Sequence, residues 1–95
     1  MNKYELAVVF SPVLEDDERK AEFDMVCGLI TKFGGTVERV DDWGKRRLAY
    51  EIKKLSEGVY NFIGFTAPAT TPIEVESRIR LRENVLRYLI IRENE

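Results

Sequence analysis

Residues 3–10 read Lys-Tyr-Glu-Leu-Ala-Val-Val-Phe, and by residues 16–33 the hydrophobic rhythm has changed. In the first stretch Tyr4, Leu6, Val8 and Phe10 share one parity while Lys3, Glu5, Ala7 and Val9 share the other. That period of two predicts a strand with one strongly apolar side. Ser11-Pro12 ends it. In the second stretch Phe23, Val26, Cys27, Ile30 and Phe33 follow i, i+3, i+4, i+7 spacing and gather on one helical stripe. Asp16 or Asp17 is the expected N-cap, the early acids suit the positive end of the helix dipole, and Gly34-Gly35 is the expected left-handed stop.

Two further strands are predicted at 36–43, continuing through 46–53, and at 58–67. Gly44 marks a bulge or bend in the former, and Ser56-Glu57-Gly58 carries the turn chemistry of a hairpin. Val59–Phe65 is apolar on both parities, so that strand is covered on both sides or has a partner waiting. Thr71-Pro72-Ile73-Glu74 opens a second helix as a capping box, with Thr71 at N-cap, proline at N1 and glutamate at N3. Val75, Ile79 and Leu86 are its inward candidates; Arg78, Arg80 and Arg82 crowd the negative C-terminal end, and Asn84 can take the left-handed conformation that closes it. Residues 85–92 form the last strand. The order β-α-β-β-α-β with right-handed crossovers predicts an α+β, ferredoxin-like sandwich: a four-stranded antiparallel sheet with two helices on one face and the other face open.

Ninety-five residues suffice for one domain, spanning 1–95, and a composition 44% hydrophobic and 34% charged suits a folded soluble chain. No apolar run approaches a membrane span and no signal-peptide pattern opens the chain. A single cysteine excludes an internal disulfide framework and fits a reducing cytosol. The net charge of −2 is unevenly spread. Glu15–Asp24 carries −4, Lys45–Lys54 carries +4 and Arg78–Arg92 carries +4. Such segregation can place a basic face on an acidic protein. It cannot give strong non-specific nucleic-acid affinity, which needs many phosphate contacts.

Catalytic constellations are missing. The chain has no histidine, Cys27 lies on the apolar stripe of the first helix, and Gly34-Gly35 and Gly44 are isolated breakers rather than a phosphate cradle. Asp41-Asp42 reads as a solvated turn rather than a metal site. No catalytic residue, cofactor, metal or small-molecule substrate is therefore expected. Lys45-Arg46-Arg47 fits poorly inside an alternating strand and belongs at an entrance or edge, facing water or a polyanion. Guanidinium forks bind phosphate bidentately where lysine acts as a point charge. Arg46, Arg47, Arg82 and Arg87 are thus the leading candidates for contact with phosphate or a protein partner, followed by Lys3, Lys45 and Arg80. Trp43 is either a core plug or a surface anchor. Tyr60, Phe62 and Phe65 partly match the aromatic pattern of RNA-recognition motifs, though Gly58 and Val59 replace its basic residue and glycine.

Tyr4-Glu5, Gly34, the run from Trp43 to Ile52, Gly58-Val59-Tyr60 and the run from Leu81 to Tyr88 together resemble the bacterial ribosomal protein S6 family over residues 3–92. The elements G-x-R-R-L-A-Y-x-I and L-R-[ED]-N-V-x-R at this separation are specific to that likeness. The resemblance implies a structural constituent of the small ribosomal subunit, in the cytoplasm. It further implies binding to the central domain of 16S ribosomal RNA jointly with the basic ribosomal protein S18, as a heterodimer. Family members often carry a longer C-terminal tail; this sequence ends at Glu95. Two other readings stand beside it: a stand-alone single-stranded RNA binder that stacks bases on Tyr60 and Phe62, and a ferredoxin-like regulatory or oligomerisation module.

Overall fold

The computed structural model describes residues 1–93, so the last two residues of the expected domain lie outside it. Strand β1 (Asn2–Phe10) leads into helix α1 (Asp16–Lys32). Strands β2 (Thr36–Ile52) and β3 (Leu55–Ala67) follow as a hairpin, then helix α2 (Thr71–Ile79) and strand β4 (Val85–Arg92). The sheet order is β2-β3-β1-β4, every neighbouring pair antiparallel. This is the expected ferredoxin-like topology.

Parity decides what each strand buries. Tyr4 opposes Phe65, Leu6 opposes Ile63, Val8 opposes Asn61 and Phe10 opposes Val59. These residues share the face on which Val26 and Ile30 of α1 and Val75 and Ile79 of α2 complete the core. Helix α1 ends in the double bond of a Schellman motif, with Gly35 N–H donating to the Ile30 carbonyl at 2.8 Å and Gly34 N–H to the Thr31 carbonyl at 3.1 Å. Gly34 supplies the φ of +95° that the motif needs.

Several local expectations are corrected. The N-cap of α1 is Glu15, one residue before Asp16, and the Glu18 carboxylate accepts the Glu15 backbone N–H at 3.0 Å. The buried side of α1 includes Glu22, an acid on a stripe expected to be apolar, while Phe23, Cys27 and Phe33 are only half-buried. Thr71 does not cap α2. Its hydroxyl is fully buried and donates to the Phe33 carbonyl at 2.6 Å, joining the end of one helix to the start of the other. Asn84 keeps a negative φ, since Lys53 and Lys54 are the non-glycine residues with positive φ among those described, and Val85 rather than Leu86 joins the core.

The hairpin turn is also displaced. It falls on Lys53-Lys54, with φ of 50° and 65° between the paired Ile52 and Leu55, and Ser56-Glu57-Gly58 lies inside β3. Positive φ at both central residues is the primed two-residue turn whose twist suits a hairpin. Lysine lacks the Asn-Gly signature and costs roughly 1–2 kcal/mol per left-handed residue, so nothing in the composition announced it.

Candidate nucleic-acid and partner interface

The sheet face away from the helices is bare, and the register arranges it in rows. One row runs Asp41, Phe62, Ala7, Leu89; the next runs Gly44, Tyr60, Val9, Arg87; on the other side lie Arg39, Gly64, Glu5 and Ile91. Leu89 and Ile91 are half exposed here, far more than a monomer needs to leave wet. Trp43 belongs to this face. It is 53% exposed, with its ring 4.6 Å from that of Phe62, which makes it a surface residue rather than a core plug. Register shifts between Asp42 and Gly44 put Trp43 there. The Asp42 carboxylate accepts the Gly44 N–H at 2.8 Å and Gly44 takes a φ of +71°, so Asp41-Asp42 organises a bulge within β2 rather than a turn.

The candidate cations separate into groups. Lys45, Arg46 and Arg47 oppose Val59, Gly58 and Glu57 on edge strand β2, where the hairpin extends past the end of β1 at Phe10 and loses its cover. All three are exposed, which explains how successive cations sit within one strand. Arg46 lies over the Trp43 ring at 5.6 Å and donates from Nε to the Trp43 carbonyl at 3.1 Å. The hairpin tip then reaches the segment before β4: Lys53 Nζ donates to the Glu83 carbonyl at 3.4 Å, and Arg87 lies 5.9 Å over the Tyr50 ring. The first basic stretch and Arg87 of the second, 42 residues apart by Lys45 and Arg87, thereby meet at one end of the molecule. Arg80 is exposed just after α2. Among the described residues none of Lys45, Arg46, Arg47, Arg80 and Arg87 forms an ion pair.

Lys3 and Arg82 stand apart from that cluster. Lys3 opposes Thr66 near the other end of β1. The Arg82 guanidinium forms a two-pronged ion pair with the buried Glu22 carboxylate, and those hydrogen bonds raise its pKa. It is committed internally. Arg39, which the sequence reading overlooked, lies across Gly64 and bridges Glu5 at 2.9 Å and Glu93 at 2.7 Å, so it ties β2 to β1 and to the residue after β4. The missing signal is pairing across three strands, invisible without the register.

Cys27 is half-buried beside Asp24, and desolvation first, then that carboxylate, pushes its thiol above the ordinary value. A raised pKa leaves less thiolate at neutral pH. Alkylation by iodoacetamide at pH 7.5 is expected to run several-fold slower than in the urea-unfolded chain; equal rates would contradict the burial.

A sandwich with an apolar, uncovered sheet face and a cluster of unpaired cations at one end belongs to the class of binding scaffolds, proteins whose surfaces rather than reactions are their function. Residues 3–92 match the family described as ribosomal protein S6. The chain belongs to that family, and so is a structural component of the small ribosomal subunit in the bacterial cytoplasm and not an enzyme. It is 44% identical over 91 residues to the small ribosomal subunit protein bS6 of Clostridium botulinum, covering 96% of this chain and 97% of that one. Against bS6 of Clostridium beijerinckii the identity is 43% over 93 residues, covering 98% of each. The crystal structure of 30S ribosomal protein S6 from Thermotoga maritima superposes with a TM-score of 0.89 at 29% identity, covering 97% of this chain and 87% of that one.

Proposed function

We propose that the chain binds the central domain of 16S ribosomal RNA jointly with ribosomal protein S18, as a heterodimer. The observation that carries this reading is the meeting of the +4 segment Lys45–Lys54 with Arg87 at one end of a protein whose net charge is −2, beside a bare apolar sheet face. Few phosphate contacts are available to such a chain, so RNA affinity on its own is weak. A basic partner seated on the apolar face adds contacts and makes the second engagement intramolecular, multiplying affinity without strengthening either surface. In this division Lys45, Arg46, Arg47, Arg80 and Arg87 face RNA phosphates, and Tyr60, Phe62, Leu89 and Ile91 face protein. Lys3 lies too far along β1 to join the cluster and contacts the partner or RNA separately; Arg82 serves the fold.

A salt-titrated binding assay on a central-domain RNA fragment, with and without S18, tests it. Tight binding is expected only with S18. Arg46→Ala combined with Arg47→Ala should weaken the joint complex and make the salt slope shallower by roughly 1.5–2 units, one step per lost phosphate contact. Thermal stability and S18 affinity should be unchanged. An unaltered RNA affinity and slope in the double variant would remove these arginines from the interface.

A further inference from the structure

On the reading that a cationic protein covers the bare sheet face, we propose that the trough above Ala7 is an anchor site. It takes one apolar side chain, aliphatic or aromatic, from a cationic segment of that partner. Ala7 sits mid-strand on β1 with Phe62 directly opposite on β3 and Leu89 directly opposite on β4. A methyl group between two large side chains leaves them standing as walls. Val9 continues the floor, and Tyr60 and Arg87 close the far end. The hollow measures about 140 Å³, room for four or five waters at about 30 Å³ each. Waters held over apolar walls make poor hydrogen bonds, and displacing them with an apolar group gains affinity. Preformed concavities of this kind, ringed by side chains that exclude solvent, are where interface hot spots concentrate.

The charge around the trough selects the occupant. Asp41 lies directly beyond Phe62, and Glu5 lies one step along the same face of β1. Arg39 binds Glu5 and Glu93, and these four groups together carry −2. A cationic segment is attracted to that rim, whereas a phosphate backbone is repelled by it. Of the free cations only Arg87 borders the trough, at the end farthest from those acids, and Lys45, Arg46 and Arg47 lie on the hairpin beyond it. A flipped base would also need hydrogen-bonding edges to read, but the floor and walls Ala7, Val9, Phe62 and Leu89 are apolar, and the polar lining is confined to Tyr60, Arg87 and Tyr88. A second copy of this chain would bring two faces of the same sign together, which is unfavourable.

The test uses purified S18 with the full-length chain and three variants, followed by calorimetry and light scattering. Ala7→Leu fills the trough from a solvent-facing position, and Leu89→Lys places a cation on its wall; both should fold with an unchanged melting temperature. Each is expected to weaken S18 binding at least tenfold, while Arg46→Ala with Arg47→Ala leaves it intact. Wild-type binding to S18 with no loss in either trough variant overturns the anchor site alone. Absence of wild-type S18 binding overturns both it and the functional reading beneath it. Loss of RNA binding by the lone chain in Ala7→Leu, with S18 binding retained, would assign the trough to a base. A wild-type dimer abolished by Leu89→Lys would assign it to a second copy.

Discussion

Phe65→Ala is expected to destabilise the protein by about 3–5 kcal/mol, whereas Phe62→Ala, three residues earlier on the same strand, should cost under about 1 kcal/mol. The difference is parity. Phe65 is 2% exposed, opposes Tyr4 across the ladder and stacks on its ring at 5.5 Å. Removing it loses the transfer energy of the ring and opens a cavity against side chains that are already close-packed. For a domain whose whole reserve is about 5–15 kcal/mol, that change alone brings the folded state near its limit. Phe62 points to the bare face, only half-buried, with its ring against the half-exposed Trp43 ring. Its loss should appear in partner binding instead of folding. Urea titration of both variants decides the matter, with the midpoint shifting far for Phe65→Ala and little for Phe62→Ala. Comparable shifts would mean that the faces of β3 are wrongly assigned. If Phe62→Ala or Tyr60→Ala instead abolished RNA binding by the lone chain, the stand-alone RNA-recognition reading would replace the joint one.

The global fold was legible because its main determinant is hydrophobic period. Tyr4, Leu6, Val8 and Phe10 alternate over a full strand, and β1 buries all four. The stops at Ser11-Pro12 and Gly34-Gly35 are chemical, and they lie where the elements end. What escaped depended on groups far apart in the chain. Thr71 matches a capping box locally, yet α2 begins at Thr71 itself, so its hydroxyl accepts no cap bond and instead donates to the Phe33 carbonyl once the helices pack. Glu22 looks like a solvated acid until Arg82, 60 residues on, reaches it. The Lys53-Lys54 turn defied its local preference because Ile52–Leu55 pairing and strand twist outweigh two left-handed lysines. For the site, composition located the cations but not their grouping. Lys45–Arg47 and Arg87 converge only because the hairpin overhangs β1, a consequence of strand lengths that no single segment encodes. Trp43 was undecidable for the same reason, since a one-residue bulge determines which face it joins.

Arg82→Ala is expected to destabilise the fold by about 2–3 kcal/mol, less than the 3–5 typical of breaking a fully buried ion pair. The reduction follows from geometry. The Glu22 side chain is 10% exposed but that of Arg82 is 41% exposed, so water screens part of the attraction and reaches part of the vacated space. The remaining cost is an uncompensated carboxylate on the inward face of α1, which burial disfavours in its charged form. Glu22→Leu with Arg82→Met should recover most of the loss, because apolar groups of similar shape need no partner and the position faces Val26 and Ile30 along the same helix. A double-mutant cycle measured by thermal and chemical unfolding should return a coupling of about 1–3 kcal/mol. The same pair separates structure from recognition. If Arg82 acts through the fold, the stabilised double variant binds RNA with S18 as the wild type does, despite lacking the arginine. If the double variant is stable but joint RNA affinity falls and the salt slope becomes shallower by about one unit, the guanidinium must leave Glu22 to reach phosphate. Arg82 would then belong with Arg46, Arg47 and Arg87 in the interface.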